Sequence, residues 1–376
     1  MFLPFLQMPT GHHQVADALI RSLQQRVQGV YFKKIDFLSY VNQRLEKMVT
    51  RTYLKWIDRS PQTYDWVYRS FVYPSSSTKH LQWYESLFQK KMQEMLYLED
   101  PDLIVCTQAY PSFLVSRLKD QGKITTPVIN VYTDFFINNV WGRTGIDYHF
   151  VPDVPLKQQL MQTQMIPEDR IFITGIPVDE CFIPSEKQRK ISPPYHVLIS
   201  GGNAGLGDIL DLLQEIKHSS EFRYSILCGN NKKLFREIAS WDINNIQPLS
   251  YISSRMDMND LYDQVDAIIT KPGGVTVSEA LMKRVPILIH TTLPGQEEIN
   301  CKYLTSQGLA YMLSPDPPIR EQLLGVLNDE SKQSRWRKQV EVYCQRLETR
   351  AWKKILELTE KTGTASSDSL LLGKGI

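Results

Sequence analysis

The stretch Ile268-Ile269-Thr270-Lys271-Pro272-Gly273-Gly274-Val275-Thr276-Val277-Ser278-Glu279-Ala280-Leu281 reads as a buried strand that runs through a Gly-Gly turn straight into a helix. At such a junction the first helical N–H groups have no partner inside the helix, and the positive end of the helix dipole converges on the same point. That is an anion site suited to a diphosphate. Glu279, about one turn inside the helix, places a carboxylate where it can accept hydrogen bonds from two ribose hydroxyls. The plainer reading of the same residues is a tight βα turn followed by an exposed helical Glu.

Short apolar runs alternate with helical patterns on both sides of this stretch, as in parallel sheets built from βαβ units. Strands are expected at Met1–Leu6, Leu103–Thr107, Val128–Tyr132, Tyr148–Val151 and Ile171–Thr174, and in a second set at His196–Ser200, Tyr224–Cys228, Ala267–Thr270 and Ile287–His290. The chain opens inside its first strand, as if a few residues preceded Met1. Between the sets lies the polar, proline-bearing run from Pro184 to Pro194. The expected organisation is an α/β chain of two Rossmann-like lobes facing a cleft: 1–183, 184–332, a helical segment 333–361 and a tail 362–376. A length of 376 residues suits two cores.

Composition narrows the class. With 42% hydrophobic and 22% charged residues the chain can build packed cores. A net charge of +2 gives no whole-chain attraction to nucleic acid. Five scattered cysteines without a CxxC pair read as reduced thiols of a cytosolic protein. No run of roughly 20 apolar residues is present, so any membrane contact is expected to be peripheral.

Other loops fall at the carboxyl ends of predicted strands, where open α/β sheets bind ligands. Gly201 and Gly202 follow one strand, and Cys228-Gly229-Asn230 follows the next. Gln296 and Glu297, in Pro294-Gly295-Gln296-Glu297, offer an amide and a carboxylate of the kind that reads sugar hydroxyls; a Pro-Gly turn with a capping Glu explains them as well. In the first lobe His12 is expected at a helix N-terminus, where the dipole disfavours its cation and keeps a neutral imidazole available as a base. Asp134 is the other acid–base candidate, with an N-cap as its structural alternative.

Taken together, Gly11-His12, Asn130-Val131-Tyr132-Thr133-Asp134-Phe135, Ile173-Thr174-Gly175-Ile176-Pro177-Val178, Cys228-Gly229-Asn230, Lys271-Pro272-Gly273-Gly274, Ser278-Glu279-Ala280 and Pro294-Gly295-Gln296-Glu297 resemble a glycosyltransferase family. It is the family 28-like group of processive diacylglycerol β-glucosyltransferases and monogalactosyldiacylglycerol synthases. The resemblance implies the GT-B fold, with acceptor in the first lobe and UDP-sugar in the second. It implies that Gly273, Gly274, Val275 and Thr276 hold the diphosphate, Glu279 the ribose, and Gln296 and Glu297 the hexose. It further implies inverting transfer of a hexose from UDP-glucose or UDP-galactose to diacylglycerol or a glycosyl-diacylglycerol, with no metal ion and no cofactor. His12 and Asp134 remain alternative bases. Asp100-Pro101-Asp102 looks like a metal-binding DxD but precedes a strand, and reads as a turn. The chain departs from the family at Met8-Pro9-Thr10 and Ile137-Asn138-Asn139, where better-known members carry extra glycines and histidines.

Basic and aromatic residues mix between Asn42 and Tyr84, among them Arg51, Lys55, Trp56 and Trp66. Such a mixture suits an anionic membrane surface, on the cytoplasmic side of the cell membrane, although an aromatic helical pair also packs internally. Two other readings keep the same architecture: a UDP-sugar 2-epimerase, and a regulator that binds nucleotide sugar without turnover.

Overall fold

The computed structural model describes residues 1–5, 11–42, 44, 82–184, 192–201, 209–217, 219–293 and 295–360. Arg51, Lys55, Trp56, Trp66, Gly202 and the tail 362–376 lie outside them.

The chain forms two wholly parallel sheets. In the first, β1 (Phe2–Leu3), β2 (Ile104–Cys106), β3 (Val128–Val131), β4 (Tyr148–Val151) and β5 (Ile171–Ile173) lie side by side in chain order. A single parallel bridge from Phe2 to Lys34 flanks β1 on the side away from β2. The chain therefore changes direction across the sheet at β1, and its carboxyl end is a topological switch point. The second sheet holds β6 (Tyr195–Ser200), β7 (Phe222–Leu227), β8 (Ile246–Leu249), β9 (Ala267–Thr270), β10 (Ile287–Ile289) and β11 (Tyr311–Met312). Its spatial order is β11-β10-β9-β6-β7-β8, with the switch between β6 and β9. Strands such as β3, β6 and β9 are buried throughout because helices cover both faces, which is why they read as unbroken apolar runs.

The structure adds two strands that the expected set lacks. Ile246-Gln247-Pro248-Leu249 is an edge strand, where a proline without an N–H costs no ladder bond on the open side. Tyr311–Met312 closes the opposite edge and is only two residues long.

The C-terminal segment also differs from a single helical extension of the second lobe. A helix spans Glu330–Gln345 and buries Trp336, Val340 and Tyr343; the indole N–H of Trp336 donates to the Leu309 carbonyl at 2.9 Å. The chain then leaves the helix and returns to the first lobe. The Glu348 N–H donates to the Ile173 carbonyl at 2.8 Å, and the Ile173 N–H donates to Glu348 Oε2 at 3.0 Å. A further helix, 351–360, follows. It carries Trp352, whose ring lies 3.7 Å from the Arg26 guanidinium, and Lys354, placed over the Phe172 ring. The break in the helical pattern is thus a strap that satisfies the open edge of β5 and ties the two lobes together.

The lobes meet where β3 and β9 end. A Cβ on Gly274 would lie 2.1 Å from the Thr133 carbonyl oxygen, so backbone passes directly against backbone there. Gly11 similarly approaches Val275 Cγ2, at 3.2 Å from a notional Cβ, whereas a Cβ on Gly273 would meet nothing within 4 Å. Gly274→Ala is therefore expected to force the lobes apart and to cost about 1–3 kcal/mol of stability, the usual price of overpacking. Gly273→Ala should cost less, up to about 1 kcal/mol, because its φ of −76° suits any residue and the loss is that of replacing an N-cap glycine by alanine. Urea titration of the two variants compares them directly.

Candidate active site

The helix Gly274–Lys283 begins one residue after Gly273, which caps it without any side-chain hydrogen bond. Its N-terminal N–H groups face the junction of the lobes. Lys271, two residues before Gly273, adds a cation close enough to act on the Glu297 carboxylate. The helix N-terminus adds its own positive potential, with open space in front of Gly273.

A pocket of about 520 Å3, its open mouth included, lies along the first two turns of this helix. Thr276 and Glu279 form one wall, Ser200 at the end of β6 and Gly229 after β7 another, and Gln14 of the first lobe closes it. Glu279 is 6% exposed. The Tyr262 hydroxyl donates to its Oε2 at 3.2 Å, and Arg255 Nη1 lies 3.4 Å from its Oε1. Burial raises the Glu279 pKa to about 7, against the pull of Arg255 and Tyr262. The carboxylate is therefore held in place and only partly neutralised, ready for further hydrogen-bond donors. It is not the exposed helical Glu of the plainer reading.

His12 is the second residue of the helix Gly11–Gln24. Its Nδ1 lies 3.0 Å from the Thr107 carbonyl oxygen and 2.7 Å from Thr133 Oγ1. A carbonyl only accepts, so Nδ1 carries the proton and Nε2 keeps the lone pair. Burial lowers the His12 pKa, partly offset by the nearby Asp134 charge, and the neutral imidazole is the resting form. Burial, rather than the helix dipole, is the main cause.

Asp134 caps no helix; it lies in a bend after β3. Its Oδ1 accepts a hydrogen bond from Asn300 Nδ2 at 3.1 Å. Gln296 and Glu297 open the helix Gln296–Ser306, with Gly295 at φ 90° before them. Glu297 Oε2 accepts the Leu293 N–H at 2.7 Å, so this side chain does brace its own turn. Burial also raises its pKa, and it lies near enough to Lys271 and Asp134 to feel both charges. One cluster thus contains His12, Asp134, Lys271, Glu297 and the helix N-terminus.

Cys228-Gly229-Asn230 reaches the pocket through Gly229. Cys228 is fully buried in the second lobe's core, where burial lifts its thiol pKa to about 11, and Asn230 is exposed in the turn. Only Gly229 of the three lines the pocket. Gly201 is buried at the end of β6, beside the pocket residue Ser200. Sequence reasoning passed over Arg255, Tyr262, Gln14, Lys271 and Asn300. The spacing of Arg255 and Tyr262, two helical turns apart on one face, was a usable signal; nothing local linked them to Glu279.

Comparison with known proteins adds independent support. A family model described as monogalactosyldiacylglycerol (MGDG) synthase matches residues 12–178. The chain is 40% identical over 361 residues to a Bacillus subtilis (strain 168) protein named uncharacterized glycosyltransferase YkoN, with 95% of this chain and 96% of the relative covered. It is 28% identical over 334 residues to the processive diacylglycerol beta-glucosyltransferase of Bacillus cytotoxicus, covering 86% of this chain and 84% of that one. Among solved structures, Acinetobacter baumannii MurG superposes with a TM-score of 0.59 at 16% identity, over 96% of this chain and 99% of that chain, which speaks to the fold. Two parallel sheets meeting at a glycine-rich helix N-terminus, and a close relative along nearly the whole length, lead to one assignment: the chain belongs to the family 28-like glycosyltransferases, alongside the monogalactosyldiacylglycerol synthases and diacylglycerol glucosyltransferases, and has the GT-B fold.

Proposed function

We propose that this glycosyltransferase moves a hexose from a UDP-sugar to a membrane lipid of the diacylglycerol kind, with inversion and without a metal ion. The observation that supports the reading is that one helix carries both an N-terminus with open space at Gly273 and, within its first two turns, the Thr276 and Glu279 wall of a pocket that Gln14 of the first lobe also lines. A diphosphate at the helix N-terminus places the ribose toward Glu279 and the sugar toward Gln296 and Glu297. The acceptor hydroxyl attacks the anomeric carbon on the face opposite UDP. Its proton passes to His12 Nε2 as the new C–O bond forms and the bond to the phosphate oxygen breaks. Charge developing on the leaving phosphate is met by backbone N–H groups, the helix dipole and Lys271, which take the part a divalent cation plays elsewhere. Asp134 stabilises the imidazolium that forms.

The acceptor half of the proposal rests on the named relatives, since Arg51, Lys55, Trp56 and Trp66 lie outside the described residues. Among the described residues no helix is long and apolar enough to cross a membrane. Docking at the inner face of the cell membrane, through anionic headgroups, suits an acceptor that stays in the bilayer.

The deciding experiment incubates the protein with UDP-glucose or UDP-galactose and vesicles containing diacylglycerol, then weighs the lipid products. A lipid heavier by one or more hexoses is expected with one of the donors; UDP release without lipid modification would overturn the acceptor assignment.

Two predictions concern the donor and the base. Because the folded Glu279 pKa of about 7 lies above its ordinary 4.5, the fold gains from this group below about 4.5 and loses that gain as pH rises through 7. Ribose hydroxyls favour the ionised form, so UDP-glucose affinity should rise several-fold between pH 6 and 8, and calorimetry on Glu279→Gln should show weaker, pH-independent binding. His12→Ala should lower kcat by roughly 100- to 10,000-fold with donor affinity nearly unchanged. In the wild type the acidic limb of kcat should fall below the ordinary histidine value of 6.5, because burial depresses the His12 pKa.

A further inference from the structure

Asn300, on the second lobe's helix Gln296–Ser306, is 1% exposed. Its Oδ1 accepts the Phe135 N–H at 2.8 Å. Its Nδ2 donates to Asp134 Oδ1 and to the Pro272 carbonyl, both at 3.1 Å. Only one orientation of the amide satisfies these partners, because a flipped group would set its nitrogen against an N–H and its oxygen against a carboxylate and a carbonyl. Two of the three partners belong to the bend after β3 in the first lobe, and the third is the residue that precedes the Gly273-Gly274 turn. Asn300 and Asp134 ride on different lobes, so any separation of the lobes breaks the bond between them.

We propose that Asn300 is a positioning residue, not a donor-sugar contact: it fixes Asp134 beside the diphosphate loop, and the acid–base pair of His12 and Asp134 is complete only while the lobes are closed. This deepens the transferase reading and rests on it for its kinetic consequences. With both amide hydrogens and the amide oxygen engaged by protein, Asn300 has no donor left for a sugar hydroxyl. Its effect reaches the reaction through Asp134, which shares its surroundings with His12 and Glu297, the latter beside Lys271.

Asn300→Asp tests this with almost no change of shape. The variant can still accept from Phe135, but its second oxygen, with no hydrogen to donate, loses the bond to the Pro272 carbonyl and faces Asp134 with a second carboxylate, and like charges at that distance raise the pKa of the pair. The expected result is a kcat at least tenfold lower at neutral pH, an unchanged donor KM and calorimetric UDP-glucose affinity, and movement of the acidic limb of kcat upward by about one pH unit. Asn300→Ser, which lacks the reach to Asp134, should lower kcat without that upward movement, and it keeps the test open if the first variant does not fold. Carbon-13 NMR titration of the Asp134 carboxyl gives a readout independent of any acceptor: its midpoint should rise in Asn300→Asp relative to the wild type. That titration stands even if the lipid assay fails, so failure of the transferase reading and failure of this proposal are separable. A raised donor KM with kcat preserved, or an Asp134 titration identical in wild type and Asn300→Asp, would overturn it.

Discussion

The close passage of the Thr133 carbonyl over Gly274 is the constraint on which the molecule is built. It fixes how the two sheets face one another, since backbone can approach backbone this nearly only where no Cβ intervenes. It also decides what the helix Gly274–Lys283 presents. One side of its first turn is closed by the first lobe, while the side at Gly273 stays open, and Thr276 and Glu279 farther along the helix line the pocket. The two glycines therefore differ in their surroundings. Gly274 is required by the meeting of the lobes, and Gly273 has open space beside it. The strap at Glu348, which returns to the edge of β5, supports the same arrangement from the far side.

Burial governs the electrostatics of the site. It keeps His12 neutral with Nε2 free, because Nδ1 is committed to Thr107 and Thr133. It raises the Glu279 pKa to about 7, where modest interactions change its charge, and it raises that of Glu297 as well. Glu279 lies on the helix whose N-terminus opens at Gly273, and Glu297 lies near Lys271. Such an arrangement favours a ligand that brings both negative charge, for the helix, and hydroxyl donors, for the carboxylates. A nucleotide sugar has both.

Much of this was legible in the sequence because it is local. The run from Ile268 to Leu281 encodes its strand, turn and helix within 14 residues, and the pattern of buried strands followed from their unbroken apolar character. What was missed depends on distance in the chain or on weak local signals. Ile246–Leu249 and Tyr311–Met312 are short, and one contains a proline tolerated only because the strand lies at an edge. The return of Glu348 to Ile173 joins residues 175 positions apart, and no helical pattern announces it. Asp134 drew notice as a strand-end carboxylate, but its partner Asn300 lies 166 residues away. That the Cys228 side chain packs into the core while Gly229 lines the pocket was not legible, because a strand-end cysteine gives no sign of which way its thiol points.

The central claim is that the open N-terminus of the helix Gly274–Lys283 receives the donor's diphosphate while Glu279 receives its ribose. A crystal structure of the protein with UDP tests it most directly. The account predicts phosphate oxygens within hydrogen-bonding distance of the N–H groups of Val275 and Thr276, with both ribose hydroxyls donating to Glu279. Nucleotide bound elsewhere, or a diphosphate held by a metal ion away from Gly273, would contradict it.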